Sequence, residues 1–400
     1  MSNSGSAKSG RSLTKWPVLA LGFRPFYIVA ALFAAVAVPI WVATYTGYLH
    51  PGGYFRGVDW HSHELIFGFA PAVIAGFLLT AVRNWTGLPT ASGLGLAGLV
   101  VLWVLGRVFV LTGPAPFAVA IDILFIPVLG IVLAIPIVLS RNSRNIKILV
   151  ILTVLALFNI IYHAAYAELL PLELTRIAIT AALDVITILI AVIAGRVIPA
   201  FTASAVAGAR VRRDRRVDTV AFVSLALVLI MGILDFWIPV TAVIWAVLLM
   251  TAAMAHGLRL ALWHPLQTCR NPLLWMLPVA YAWIPVTLTL RALALFSLVP
   301  PAAATHALTI GVMSSLMVAM MTRSALGHTG HELKAGPVEM IVFTGLQMAA
   351  AVRVLAGLVL PGQYRGAMVI AAALWFLSFT VFLFRYVPLL TRVRVDGRPG

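Results

Sequence analysis

The chain contains a single cysteine, Cys269, among its 400 residues. An internal disulfide is therefore excluded, and cysteine usage says nothing about redox compartment. Acidic residues are scarce too, 12 Asp and Glu against 28 Lys and Arg. Charged residues of both signs make up only 10% of the chain, where a soluble domain carries roughly 25%. So few charges cannot cover a surface that faces water. The sequence also lacks HExxH, a P-loop and the CxxCH motif of covalent haem attachment. Zincin, P-loop nucleotidase and c-type haem readings fall with them. Gly93-x-Gly95-x-x-Gly98 matches the dinucleotide fingerprint by letter alone. No strand precedes it, and it opens an apolar helix, where small residues allow close packing.

Apolar sequence is what the chain has in quantity: 62% of residues are hydrophobic and the mean hydropathy is +1.04. Apolar runs of about 20 residues recur, each enough to cross a ~30 Å hydrocarbon core. They fall at 17–45, 59–82, 93–112, 117–139, 146–168, 172–197, 219–238, 241–262, 272–297, 302–322, 336–360 and 367–390. The expected fold class is all-α, a polytopic membrane protein with about twelve transmembrane helices in one bundle. Residues 1–16 read as a disordered cytoplasmic tail, 17–392 as the membrane domain and 393–400 as a second cytoplasmic tail. The first fifteen residues do not read as a cleaved signal, because no small-residue cleavage site ends a short apolar region.

The formal net charge is +16, but its placement does not suit nucleic acid. The basic residues sit in short loops between apolar runs, the pattern that sets membrane topology. With the N-terminus inside, only Arg56, Arg107, Arg176, Arg291, Arg353 and Arg365 of the 28 basic residues fall in the outer half. Both termini are therefore expected in the cytoplasm.

With that topology, Trp60-His61-Ser62-His63-Glu64 opens the second helix at its outer end. Ionisable groups at membrane depth are costly and read as functional by default. His163, near the end of the fifth helix, and His306, near the start of the tenth, join His63 roughly 6–8 Å below the outer boundary. Three imidazoles at one depth suit a metal or haem, although interfacial histidines also simply bond to headgroups. His61 and His63 are about 200° apart on a helix and cannot easily share one metal. They face different sites, or His61 precedes the helix proper. Glu64 either orients an imidazole or complements the helix N-terminus.

Arg107, Arg291 and Arg353 lie within outer helix halves and require anionic partners. Haem propionates are one choice; Asp122, Glu168, Glu173 and Asp235 on the same side are the other. Asp184, mid-helix, is a proton-relay residue or a partner of Thr180 or Thr187. Glu64 and Asp184 are the candidate catalytic acids. Met313, Met317 and Met320 share the face of His306, as copper ligands or as adaptable packing. On the inner side, His328-Thr329-Gly330-His331 reads as a turn. There Gly327 ends the helix and His328 caps its last carbonyls; His328 is also a candidate metal ligand.

These residues taken together are distinctive. The sequence resembles the NnrS family, bacterial membrane proteins of the response to nitric oxide, over nearly all of its apolar region. The resemblance rests on Leu21-Gly22-Phe23-Arg24-Pro25-Phe26, on the Trp60 to Glu64 stretch with Gly68-Phe69, and on Gly76 to Val82 with Asn84-Trp85-Thr86-Gly87. Arg144-Asn145, Asn159 with His163, Gly195-Arg196, Pro199 to Thr202, Thr305 to Thr309 and Gly327 to Gly330 add to it. It implies a twelve-helix protein of the bacterial inner membrane that contains haem, b-type and non-covalent, with copper as a second metal. Its implied ligand is nitric oxide, and its implied role is protection against nitrosative stress. The helix count, and histidines on the second and tenth helices, are similar to the haem–copper oxidase and nitric oxide reductase superfamily. The chain departs from that pattern in having no histidine on the seventh helix and only His306 early on the tenth.

Two functions follow as expectations. In the first, His61, His63, His163 and His306 hold haem or copper near the periplasmic face, and Arg107, Arg291 and Arg353 ring that level. Reduction of nitric oxide by such an oxidoreductase would need protons and electrons, supplied by a quinol or a separate donor. In the second, the chain is a transporter of a metal or a nitrogen oxide. Breaks at Pro39, Pro127, Pro136, Pro278 and Pro285 would then belong to related halves around a midplane site. Lipid, but no nucleic acid, is a partner in both.

Overall fold

The computed structural model describes residues 16–359 and 361–397. The proposed disorder of the first fifteen residues, with Lys8, Arg11 and Lys15, lies outside them, as does Arg398. Among the described residues there are twelve helices long and apolar enough to cross a membrane. They are α1 (Phe23–Tyr45), α2 (Gly57–Thr86), α3 (Gly93–Thr112), α4 (Ala115–Leu139), α5 (Ser143–Tyr166) and α6 (Leu174–Ala205). The other six are α7 (Arg215–Leu234), α8 (Ala242–Leu262), α9 (Pro272–Ala294), α10 (Pro301–His328), α11 (Pro337–Val359) and α12 (Tyr364–Thr391). No strand occurs among the described residues. This is an all-α, multi-pass membrane protein.

Each span starts or stops for local reasons. Pro301 and Pro337 open α10 and α11, where a missing N–H costs nothing. Asp214 and Asn271 cap α7 and α9 by accepting from Arg216, Val217 and Leu273 backbone N–H groups. The glycines of 93–98 do not pack closely: a Cβ at Gly93, Gly95 or Gly98 would meet nothing within 4 Å. The close-packing expectation for that motif is corrected, because this face of α3 looks away from the bundle.

Consecutive spans are neighbours, and α12 returns to pack along α1, closing the ring. Among the spans, α2 and α10 are the most enclosed. Both break the α-helical pitch once. Glu64–Phe69 in α2 and Ala307–Ser314 in α10 are π-helical, wide turns that occur mostly at functional sites. The wide turns leave carbonyls for side chains. Ser314 and Ser315 hydroxyls donate to Thr309 and Ile310 carbonyls five residues back. Trp103 on α3 donates its indole N–H to the Gly68 carbonyl. Each wide turn directly follows a histidine, His63 or His306.

Candidate functional site

α2 carries its two histidines on opposite faces, and each face builds a different site. On one face His63 points toward α3, α4 and α5 into a wholly buried polar network. Its Nδ1 lies 3.0 Å from Glu64 Oε1, and its Nε2 lies 3.0 Å from Asn159 Oδ1. Asn159 donates through Nδ2 to Asp122 Oδ2 at 2.8 Å, which fixes the amide so that its oxygen faces the imidazole. His163 Nε2 also approaches Asp122 Oδ2, at 2.9 Å. Arg107 closes the network by donating to both Glu64 Oε1 and Asp122 Oδ1. Gly68 makes room for it, since a Cβ there would collide with the guanidinium.

Charge decides what this network requires. Arg107 supplies one positive charge; Glu64 and Asp122 supply two negative ones. An unbalanced charge is costly at membrane depth; a proton shared by the imidazoles, or a metal ion in its place, balances it. One ring nitrogen each of His63 and His163 and a carboxylate oxygen of Asp122 lie within 4.8 Å of one another and could hold a metal ion. Asp122 Oδ2 is 3.3 Å from His63 Nε2 and 2.9 Å from His163 Nε2. Two ligands at ~2.0–2.1 Å from one metal, at roughly right-angled to tetrahedral spacing, stand about that far apart. Glu64 on the other nitrogen of His63 is the usual orienting partner of a metal-bound imidazole.

Aromatic rings seal this face. Tyr54 stacks on His163 with centroids 5.6 Å apart, and Phe55 lies 4.4 Å from the His63 ring. The segment is pinned by the Tyr54 N–H donating to the Val110 carbonyl. In that loop, burial and the nearby Tyr166 push the Tyr54 phenol up to about 12.

The opposite face of α2 opens on a cavity of about 210 Å³ shared with α1, α10, α11 and α12. A single water needs only ~10–15 Å³, so the space is large. His61, His306 and Arg353 bring nitrogen to an otherwise mostly apolar lining that includes Trp41, Phe69, Met313 and Trp375. His61 stacks on Trp41, centroids 4.8 Å apart and planes 15° apart. Its buried Nδ1 has no hydrogen-bond partner. His306 Nδ1 donates to the Ala302 carbonyl at 2.7 Å, four residues back. That bond selects the tautomer with a lone pair on Nε2. Arg353 holds Tyr364 by its hydroxyl at 2.5 Å and lies over its ring at 4.4 Å.

The four histidines thus divide. His63 pairs with His163, and His306 joins His61 instead of sharing their centre, because α2 stands between the two groups. Only Arg353 of the three arginines reaches the cavity. Arg107 pairs with Glu64 and Asp122, and Arg291 pairs with Asp184 at 2.5 Å. Asp184 bonds to neither threonine: Thr180 and Thr187 donate to carbonyls four residues back on their own helix. Met313 lines the histidine cavity, whereas Met317 and Met320 line another. His328 is remote from both groups. Its ring lies 5.5 Å from that of Phe23, and its carbonyl accepts from Arg394. The helix end is corrected by one turn residue. Gly327 and His328 are still helical, Thr329 caps by donating to Ala325 at 2.6 Å, and Gly330 takes the positive φ of +82°. Asn159 was visible in sequence only beside His163, as part of the family resemblance and with no role of its own. Asp122 was visible only as one of four acidic partners for arginine.

Fold and site together define a twelve-span helical membrane protein with two histidine groups, one on either face of a single helix. The chain belongs to the NnrS family: it matches the family described as NnrS protein over residues 17–394. That membership fits a protein of the nitric oxide response. No curated protein matches the chain.

Proposed function

We propose that this protein binds haem in the His61–His306 cavity, takes up nitric oxide there and so protects the cell against it. One observation carries the reading: His306 holds Nδ1 on the Ala302 carbonyl and keeps an Nε2 lone pair at a large apolar cavity. An imidazole fixed this way could ligate haem iron through its free nitrogen. The remaining lining suits the group. Trp41, Phe69 and Trp375 offer flat apolar faces, and Arg353 is the cation for a propionate. When bound, haem iron supplies a coordination position for a neutral diatomic ligand. His61, stacked on Trp41, would offer a second imidazole to the same cavity.

The His63–Asp122–His163 group fits a second metal, and copper is the choice the charges favour. Copper(I) brings the one positive charge that Arg107, Glu64 and Asp122 leave wanting, and imidazole suits copper. Glu64 would then orient His63, and Asp184 would hold Arg291, without either meeting the diatomic ligand. The basic residues favour both termini in the cytoplasm of a bacterial inner membrane, with both centres toward the periplasm.

Absorption spectra of the purified protein, oxidised and reduced, with and without nitric oxide, test the reading alongside metal analysis. A Soret band that shifts on adding nitric oxide is expected, with iron and copper both present. A metal-free protein with no Soret band would contradict it.

A further inference from the structure

A second cavity, of about 80 Å³, lies along the same helices as the histidine cavity. The linings of the two follow one another on three spans. On α2 they step from Phe69 to Val73, on α10 from Ser314 to Leu316, and on α6 from Ile179 to Ile186. At 1.5 Å per residue these steps are roughly 3–10 Å. The two spaces are therefore stacked, with Phe69, Met313 and Met317 between them.

The second cavity is of a different kind. Hydrocarbon and thioether side chains make up nearly all of its wall. Phe77, Ile190, Ile193, Val197 and Met320 are only half-buried, so this space opens sideways, toward the bilayer. Water has little reason to occupy it, because a buried water needs two to four polar partners. Apolar cavities of this sort stay dry and take up uncharged guests such as xenon. Anions such as nitrite would find no cation here and only one hydroxyl, that of Tyr27. The partition toward the histidine cavity includes two methionines, the most adaptable of apolar side chains.

We propose that this cavity is a docking and access site for small uncharged molecules dissolved in the bilayer. They leave the lipid between α2, α6 and α10, and pass Met313 and Met317 to reach His61 and His306. The proposal rests on the reading that the histidine cavity holds haem, with nitric oxide as the molecule delivered. It makes the membrane interior, not the aqueous face behind Tyr54 and Phe55, the source of the ligand.

Two measurements separate this proposal from that reading. The first is carbon monoxide rebinding after flash photolysis of the reduced protein in lipid nanodiscs. Ile190→Trp fills the cavity and is expected to slow bimolecular rebinding several-fold with an unchanged Soret band, whereas Ile190→Ala rebinds at least as fast as the native chain. Native rebinding in Ile190→Trp, with haem intact, overturns the proposal and leaves the haem reading standing. The second uses xenon alone, on crystals of the native protein, and does not depend on haem. Xenon density between Ile190 and Met317 is expected, and an empty cavity under pressure overturns the proposal whether or not haem is bound.

Discussion

Asp122 is the residue on which the buried network turns. One oxygen accepts from Asn159 and faces His163 Nε2, and the other pairs with Arg107. Asp122→Ala leaves the guanidinium with Glu64 alone and strands the Asn159 amide at membrane depth. Breaking a buried pair from one side costs about 3–5 kcal/mol. A loss of that size is expected in unfolding from detergent micelles, and a native-like transition would show that the network is not a unit. Sequence depth alone brought out His63, His163 and His306 and the need of Arg107 for an acid. It did not bring out Asp122, because four acidic residues share its side and only packing chooses among them. Nor did depth separate His306 from His63, since it fixes height along a helix and not which neighbour the face meets.

At the scale of elements, the wide turns of α2 and α10 aim the histidines. A π-turn holds one extra residue, so the stretch before it is rotated about 100° relative to a regular helix. Deleting Ile310 should restore regular pitch in α10 and swing His306 off the cavity. The expected result is a chain that still inserts in the membrane but carries no Soret band. Full haem content in that deletion would mean that His306 is not held by the turn. The hydrophobic runs made all twelve helices legible, because length and apolarity are properties of single segments. The wide turns were not, since Leu65-Ile66-Phe67 and Ile310-Gly311-Val312 look like ordinary transmembrane sequence. Ser314 and Ser315 were the only local hint.

For the whole molecule, closure of the ring falls to two motifs at one end of the bundle. Arg24, in the Leu21 to Phe26 stretch, donates to the Leu390 and Arg392 carbonyls at 3.0 and 2.7 Å. The Thr329 carbonyl accepts from the Val395 N–H at 3.2 Å, and the tight turn at Gly330 lets residues 394–396 lie against it. These motifs therefore dock the C-terminal segment on the end of α1 and α10, a role their letters did not disclose. Arg24→Ala is expected to raise hydrogen exchange at residues 390–396 while leaving the optical spectrum unchanged. Unaltered exchange there would remove the latch from the account.

The central claim is that His306 holds the iron, and an exchangeable ligand tests it most directly. His306→Gly is expected to lose the Soret band of the purified protein and to regain it when imidazole is added, because the cavity and His61 remain. A His306→Gly protein that keeps its full native haem spectrum without imidazole would contradict the account.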